Sequence, residues 1–157
     1  MLLTALALLS GPGGRGPVGS VQEKFPTWVA AHNARLVDRG LLPAFAPRSA
    51  TEIVVRSLPE SDLFRGSFRF PISDGRNMKT RLANMPAKES EGAHPRPEPY
   101  DPWWPTWLQG VLTAGPRDNP GYSLHRPIGN DGSVENLLVA CNLTKGHCLY
   151  WSDSRGQ

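Results

Sequence analysis

Phe64-Arg65-Gly66-Ser67-Phe68-Arg69-Phe70 is the stretch on which the fold turns. Phe64, Gly66, Phe68 and Phe70 alternate with Arg65, Ser67 and Arg69, the period of two that belongs to a strand with one face against a core. The pattern predicts a half-buried antiparallel strand, aromatic side in and arginine side out. Upstream, Thr51-Glu52-Ile53-Val54-Val55-Arg56 is rich in β-branched residues and reads as a second strand. The segment between them, 57–62, is short and turn-rich, so the two are expected to form a hairpin.

A second ribbon lies at the C-terminal end. Residues 136–142 and 147–152 read as strands joined through Leu143-Thr144-Lys145-Gly146. If Cys141 faces Cys148, the register pairs Val139 with Tyr150 and Leu138 with Trp151. Directly opposed residues lie close enough for a disulfide, so the two cysteines are expected to be joined. Both faces of this hairpin are apolar near its middle, which places it centrally in a sheet. Residues 121–126 are a weaker strand candidate.

Two helices are expected beside these strands. Over 26–39, Trp28, Val29, His32, Leu36 and Val37 fall near one face, with Pro26 at the start and Gly40 past the end. Over 74–84, Ser73 or Asp74 could cap a helix carrying Met78, Leu82 and Met85, although Gly75 weakens the pattern. Residues 86–102 are a polar loop in which Pro95, Pro97, Pro99 and Pro102 forbid helix and central strand alike. The expected fold class is therefore α+β: an antiparallel sheet of four to five strands with two helices packed on one face.

The chain has 157 residues and a net charge of +3, so one domain over 21–157 is expected. Gly and Pro stand at 16 each and concentrate in loops, which fits an ordered core interrupted by irregular stretches. Residues 1–20 read as a signal-like apolar segment, Leu2 to Leu9, followed by a Gly/Pro linker. That run is too short to span a bilayer, so no integral membrane span is expected. It points to a secreted or periplasmic protein, with a cytoplasmic one as the alternative. An even cysteine pair fits export. No Lys/Arg cluster suits a phosphate track, which argues against nucleic acid as partner.

The motifs of common chemistry are missing. The sequence has no phosphate-binding Gly-rich loop, no G-x-S-x-G, no H-E-x-x-H and no C-x-x-C, so neither cofactor nor metal is expected. His32 reads as a core residue and His94 as a solvated one. His147 adjoins Cys148, but neighbours on a strand point to opposite faces. A small hydrolase would have to use His125 with a cysteine or a carboxylate, and nothing in the sequence brings them together. Asn142-Leu143-Thr144 matches a glycosylation sequon, which carries no meaning in a bacterial protein. The suggestive feature is aromatic. Trp103, Trp104 and Trp107 follow the Pro-rich loop; exposed, they would stack on sugar or peptide, and buried, they would pin the loop across the core. Arg65 and Arg69, with Arg56 beside them, could form an anion-attracting stripe, or simply a solvated outer face.

Several short motifs together resemble small exported bacterial proteins of unknown function. These are Leu42-Pro43, Pro47 and Ser49-Ala50-Thr51-Glu52-Ile53 leading into a first strand, Phe68-Arg69-Phe70, Trp104-Pro105, and the terminal Tyr150-Trp151, spread over residues 41–152. The chain departs from lipoprotein members of that group in lacking a lipidation cysteine. The resemblance implies an exported α+β domain and brings no catalytic residues with it. The expectation is thus an interaction module without catalytic apparatus, with a protein or cell-envelope component as partner and a surface at Trp103, Trp104, Trp107, Arg65 and Arg69. An inhibitor or immunity-type protein and the His125 hydrolase are the alternatives.

Overall fold

The computed structural model describes residues 19–58, 63–85, 103–105, 108, 121–129 and 137–152. Both ribbons are present, in one seven-stranded antiparallel sheet. Its strands are β1 (Val21–Thr27), β2 (Thr51–Leu58), β3 (Leu63–Arg69), β4 (Leu82–Asn84), β5 (Ser123–Pro127), β6 (Leu137–Asn142) and β7 (His147–Ser152). The spatial order is β1-β2-β3-β7-β6-β5-β4. The aromatic strand and the cysteine ribbon meet directly, with Gly66 opposite Tyr150 and Phe68 opposite Cys148. The expected β6–β7 register holds: Val139 faces Tyr150, Leu138 faces Trp151, and Cys141 faces Cys148. β7 is the middle strand of the seven, as two apolar faces require.

The expected fold class needs correction. The protein is mainly β, not α+β with a helical layer. The sheet exceeds the four to five strands expected, and the α-helices among the described residues are two six-residue turns, α1 (Trp28–Asn33) and α2 (Gly75–Thr80). Thr27 stops the first helix from starting at Pro26: its hydroxyl accepts from the Ala30 N–H and caps α1 two residues later. Arg35, at φ 61, ends α1 early. The stretch before the cap pairs with β2 as an edge strand. The second predicted helix splits, because Leu82–Asn84 pair with His125–Pro127 instead of continuing α2.

Both faces of the sheet are covered. The first carries Ile53, Val55, Phe64, Phe68, Val139, Cys141, Cys148 and Tyr150, packed with Ala31, Leu36, Leu42, Phe45 and Met78 from α1, the 34–50 segment and α2. The second carries Leu138, Ala140, Leu149 and Trp151 under Trp104 and Leu108. This second layer explains why the arginine side of β3 is not simply outward. Arg65 is buried, with its guanidinium 5.6 Å from the centre of the Trp104 ring. Among the described residues no helix is long and apolar enough to cross a membrane.

Candidate functional site

The second face is not sealed along its length. Where β1, β2, β3 and β7 run together, a groove of about 540 Å3 opens, lined by Lys24, Phe25 and Pro26 of β1, Glu52, Ile53 and Val54 of β2, Ser67 and Arg69 of β3, His147 of β7, and Trp103. Strand alternation puts Lys24, Val54, Ser67, Arg69 and His147 on one face, because Lys24 faces Val54, Val54 faces Ser67, and Arg69 faces His147.

A bulge shapes the rim. The β2–β3 register shifts between Thr51 and Val54, and within that shift Glu52 adopts φ 48. The β1–β2 register passes over Pro26, which has no N–H to give a ladder. The bulge turns the Glu52 carboxylate onto Arg69, whose Nε donates to Oε2 at 3.0 Å. Both side chains are more than half exposed, so the pair holds geometry more than it stabilises the fold.

His147, which lines the groove, is paired behind it with a second ring. The Tyr122 hydroxyl and His147 Nδ1 are hydrogen-bonded at 2.5 Å, with the rings edge to face. Burial pushes the His147 imidazole down to about 4, the Arg69 charge adds to that, and Glu52 opposes it. Burial also raises the Tyr122 phenol, against the pull of Arg69. The pair is therefore neutral at pH 7. Trp103 is held from two sides. Its Nε1 donates to Gln22 Oε1 at 2.9 Å, and its ring stands edge-on to Trp104 with centroids 5.4 Å apart. Gln22 Oε1 also accepts from Arg56 Nη2 at 2.8 Å.

The residues singled out from sequence separate cleanly. Trp103 and Arg69 both line the groove. Trp104 is 2% exposed and packs edge-on to Trp151, with Arg65 against its ring. Trp107 lies outside the described residues. Arg56 and Arg65 oppose each other on neighbouring strands, but Arg56 is tied to Gln22 and Arg65 to Trp104, so the arginines form no continuous stripe. Cys141 and Cys148 face each other at Cα–Cα 4.2 Å with their sulfurs in bonding position, a disulfide-compatible pair. His125 is 3% exposed on β5, opposite Val139 and Asn84, and its two ring nitrogens find no hydrogen-bond partner among the described residues. Burial lowers its pKa. No cluster of metal-ligating side chains occurs among the described residues.

Lys24, Glu52 and Tyr122 were not picked out from sequence, and His147 stood out there only as the neighbour of Cys148. The residues of the site are brought together by register across β1, β2, β3 and β7, and a single sequence shows no trace of that. Pro26 was the one available signal: proline in a strand marks an edge or a bulge.

A model of the YbbD head domain, a small bacterial domain family, matches residues 19–69. No curated protein and no solved structure matches the chain. The matched stretch is roughly a third of the sequence and corresponds to β1, α1, β2 and β3. It contributes every residue lining the groove except Trp103 and His147.

Proposed function

We propose that this chain is an exported bacterial interaction module whose contact surface is the groove between Trp103 and Arg69. One observation carries the reading. Two residues far apart in sequence, each of a type enriched at binding surfaces, line one preformed cavity on a rigid sheet. The arrangement suits recognition better than turnover. Both cysteines are engaged with each other, His125 is sealed in the core without a partner among the described residues, and His147 is held neutral against Tyr122. Export is supported by the signal-like run Leu2 to Leu9 and by the cysteine pair, which an oxidising compartment would keep joined. The partner fitting this reading is a protein or a cell-envelope component.

The test uses the full chain in a bacterial host, with a photo-crosslinking amino acid at position 103 or at Ile128, an exposed site away from the groove. Fractionation should place the protein outside the cytoplasm with its thiols protected from alkylation. Illumination should give discrete adducts from position 103 and none from 128. A cytoplasmic protein with alkylatable thiols would remove the export half of the proposal. Equal or absent adducts at the two positions would remove the groove half.

A further inference from the structure

We infer that the groove binds a small monocarboxylate carried on a six-membered ring, the carboxylate on the Arg69 guanidinium and the ring face against Trp103. The inference rests on the groove being the contact surface and goes on to name the chemistry it reads.

Arg69 is the first reason. Its guanidinium has five N–H donors, and among the described residues only Nε–H is used, by Glu52. The side chain is 52% exposed where it lines the cavity. The two terminal nitrogens form the fork that matches a carboxylate with two parallel hydrogen bonds. Glu52 occupies the Nε edge and orients the fork without consuming it. Glu52 does so from a left-handed backbone conformation, φ 48, that a residue other than glycine seldom keeps without a use.

Charge sets the valence. Around the groove stand Lys24 and Arg69 against Glu52, a surplus of one positive charge, while His147 adds none at neutral pH. A single carboxylate balances that surplus. A phosphate dianion would overshoot it and meet Glu52 at close range. A neutral sugar would leave the guanidinium fork desolvated and unpaired, which costs affinity.

Shape sets the rest. A cavity of about 540 Å3 is the size of small-ligand sites. The flat, apolar part of its lining is the Trp103 indole, the Pro26 ring and Val54, beside Ser67 and the neutral His147. Trp103 is fixed by its bond to Gln22 and its edge contact with Trp104, so a ring stacking on it orders nothing new. Both an aromatic acid and a sugar acid present the shared chemistry, and the measurement separates them.

Oxidised full-length protein is titrated by calorimetry at low salt and pH 7 with benzoate, glucuronate, glucose and inorganic phosphate. At least one carboxylate should bind saturably at one site, roughly tenfold or more tighter than glucose and phosphate, the margin of a bidentate charged pair. The tighter of benzoate and glucuronate identifies the ring. Arg69→Met should abolish the binding. Arg69→Lys keeps the charge but loses the fork, and should weaken it several-fold. Glu52→Gln, which removes the nearby negative charge, should tighten it. Absence of binding by both carboxylates, preference for phosphate, or unchanged affinity in both Arg69 variants would overturn the inference. Crosslinking at position 103 decides separately. Adducts that persist in Arg69→Met alongside failed carboxylate titrations leave the contact surface standing and remove its carboxylate chemistry.

Discussion

The Tyr150 ring lies directly over Gly66. The two residues oppose each other across β3 and β7, and a Cβ placed at Gly66 would come 2.3 Å from both the ring Cζ and the hydroxyl. The Tyr150 hydroxyl passes beyond the glycine to donate to the Leu41 carbonyl at 2.8 Å, tying the central strand to the 34–50 segment. The ring is fully buried and touches Phe64 and Phe68 edge-on or tilted. It therefore has no room to step aside. Gly66→Ala is expected to destabilise the protein by about 1–3 kcal/mol, the range for overpacking a closed core. Chemical denaturation of the variant checks this, and an unchanged midpoint would mean that the ring relaxes freely.

How much of this was legible in the sequence depends on where an element keeps its information. The aromatic alternation of β3 and the cysteine opposition of β6–β7 are side-chain signals: the first marks a strand and its core-facing side, and the second leads to the observed register. Gly66 even stands in the aromatic row, marking the place the tyrosine fills. β1 carries no such signal. All its residues are at least partly exposed, and it joins the sheet through backbone pairing alone. β4 is three residues long with only Leu82 buried, so the spacing of Met78 and Leu82 imitates a helix although the two belong to different elements. Arg69 and Trp103 could be named one by one, whereas Glu52 and His147 join them only through a bulge and a strand pairing.

The Cys141–Cys148 pair closes the β6–β7 hairpin at its turn, with seven residues of separation. For a loop this short, chain entropy predicts that joining the sulfurs stabilises the fold by about 2.5 kcal/mol. Urea denaturation with and without reductant should show a loss near that size. The Cys141→Ala/Cys148→Ala double variant should match the reduced protein and be insensitive to reductant. Equal midpoints for oxidised and reduced wild type would show that the hairpin's pairing alone sets its stability.

Acid should weaken the fold through two histidines. The His147 pKa lies at about 4 in the folded protein against 6.5 unfolded, and burial lowers His125 in the same sense. The unfolded chain therefore binds more protons below pH 6.5, so stability falls as pH drops from there toward 4. For His147, partly open to solvent, the loss is about 2 kcal/mol after allowance for screening. His125 adds to it. Melting temperature measured from pH 7.5 to 4 should decline over this window, and His147→Gln should flatten the slope. A profile flat to pH 4 in the wild type would contradict the burial of both rings.

Adjacent tryptophans should behave as opposites. Trp104 is 2% exposed, packs against Trp151 and lies under the Arg65 guanidinium, so it anchors the layer over the second face. Trp104→Ala is expected to cost about 3–5 kcal/mol, the range for emptying a buried aromatic site. Trp103 is only half-buried, and its one hydrogen bond among the described residues goes to Gln22, which also serves Arg56. Trp103→Ala should cost about 1 kcal/mol in stability, near the value of a single hydrogen bond, yet remove ring stacking from the groove. Denaturation midpoints and ligand titration on the two variants separate packing from recognition. If Trp103→Ala lost stability as heavily as Trp104→Ala, the indole would belong to the core, and the groove would lose the wall on which its recognition chemistry depends.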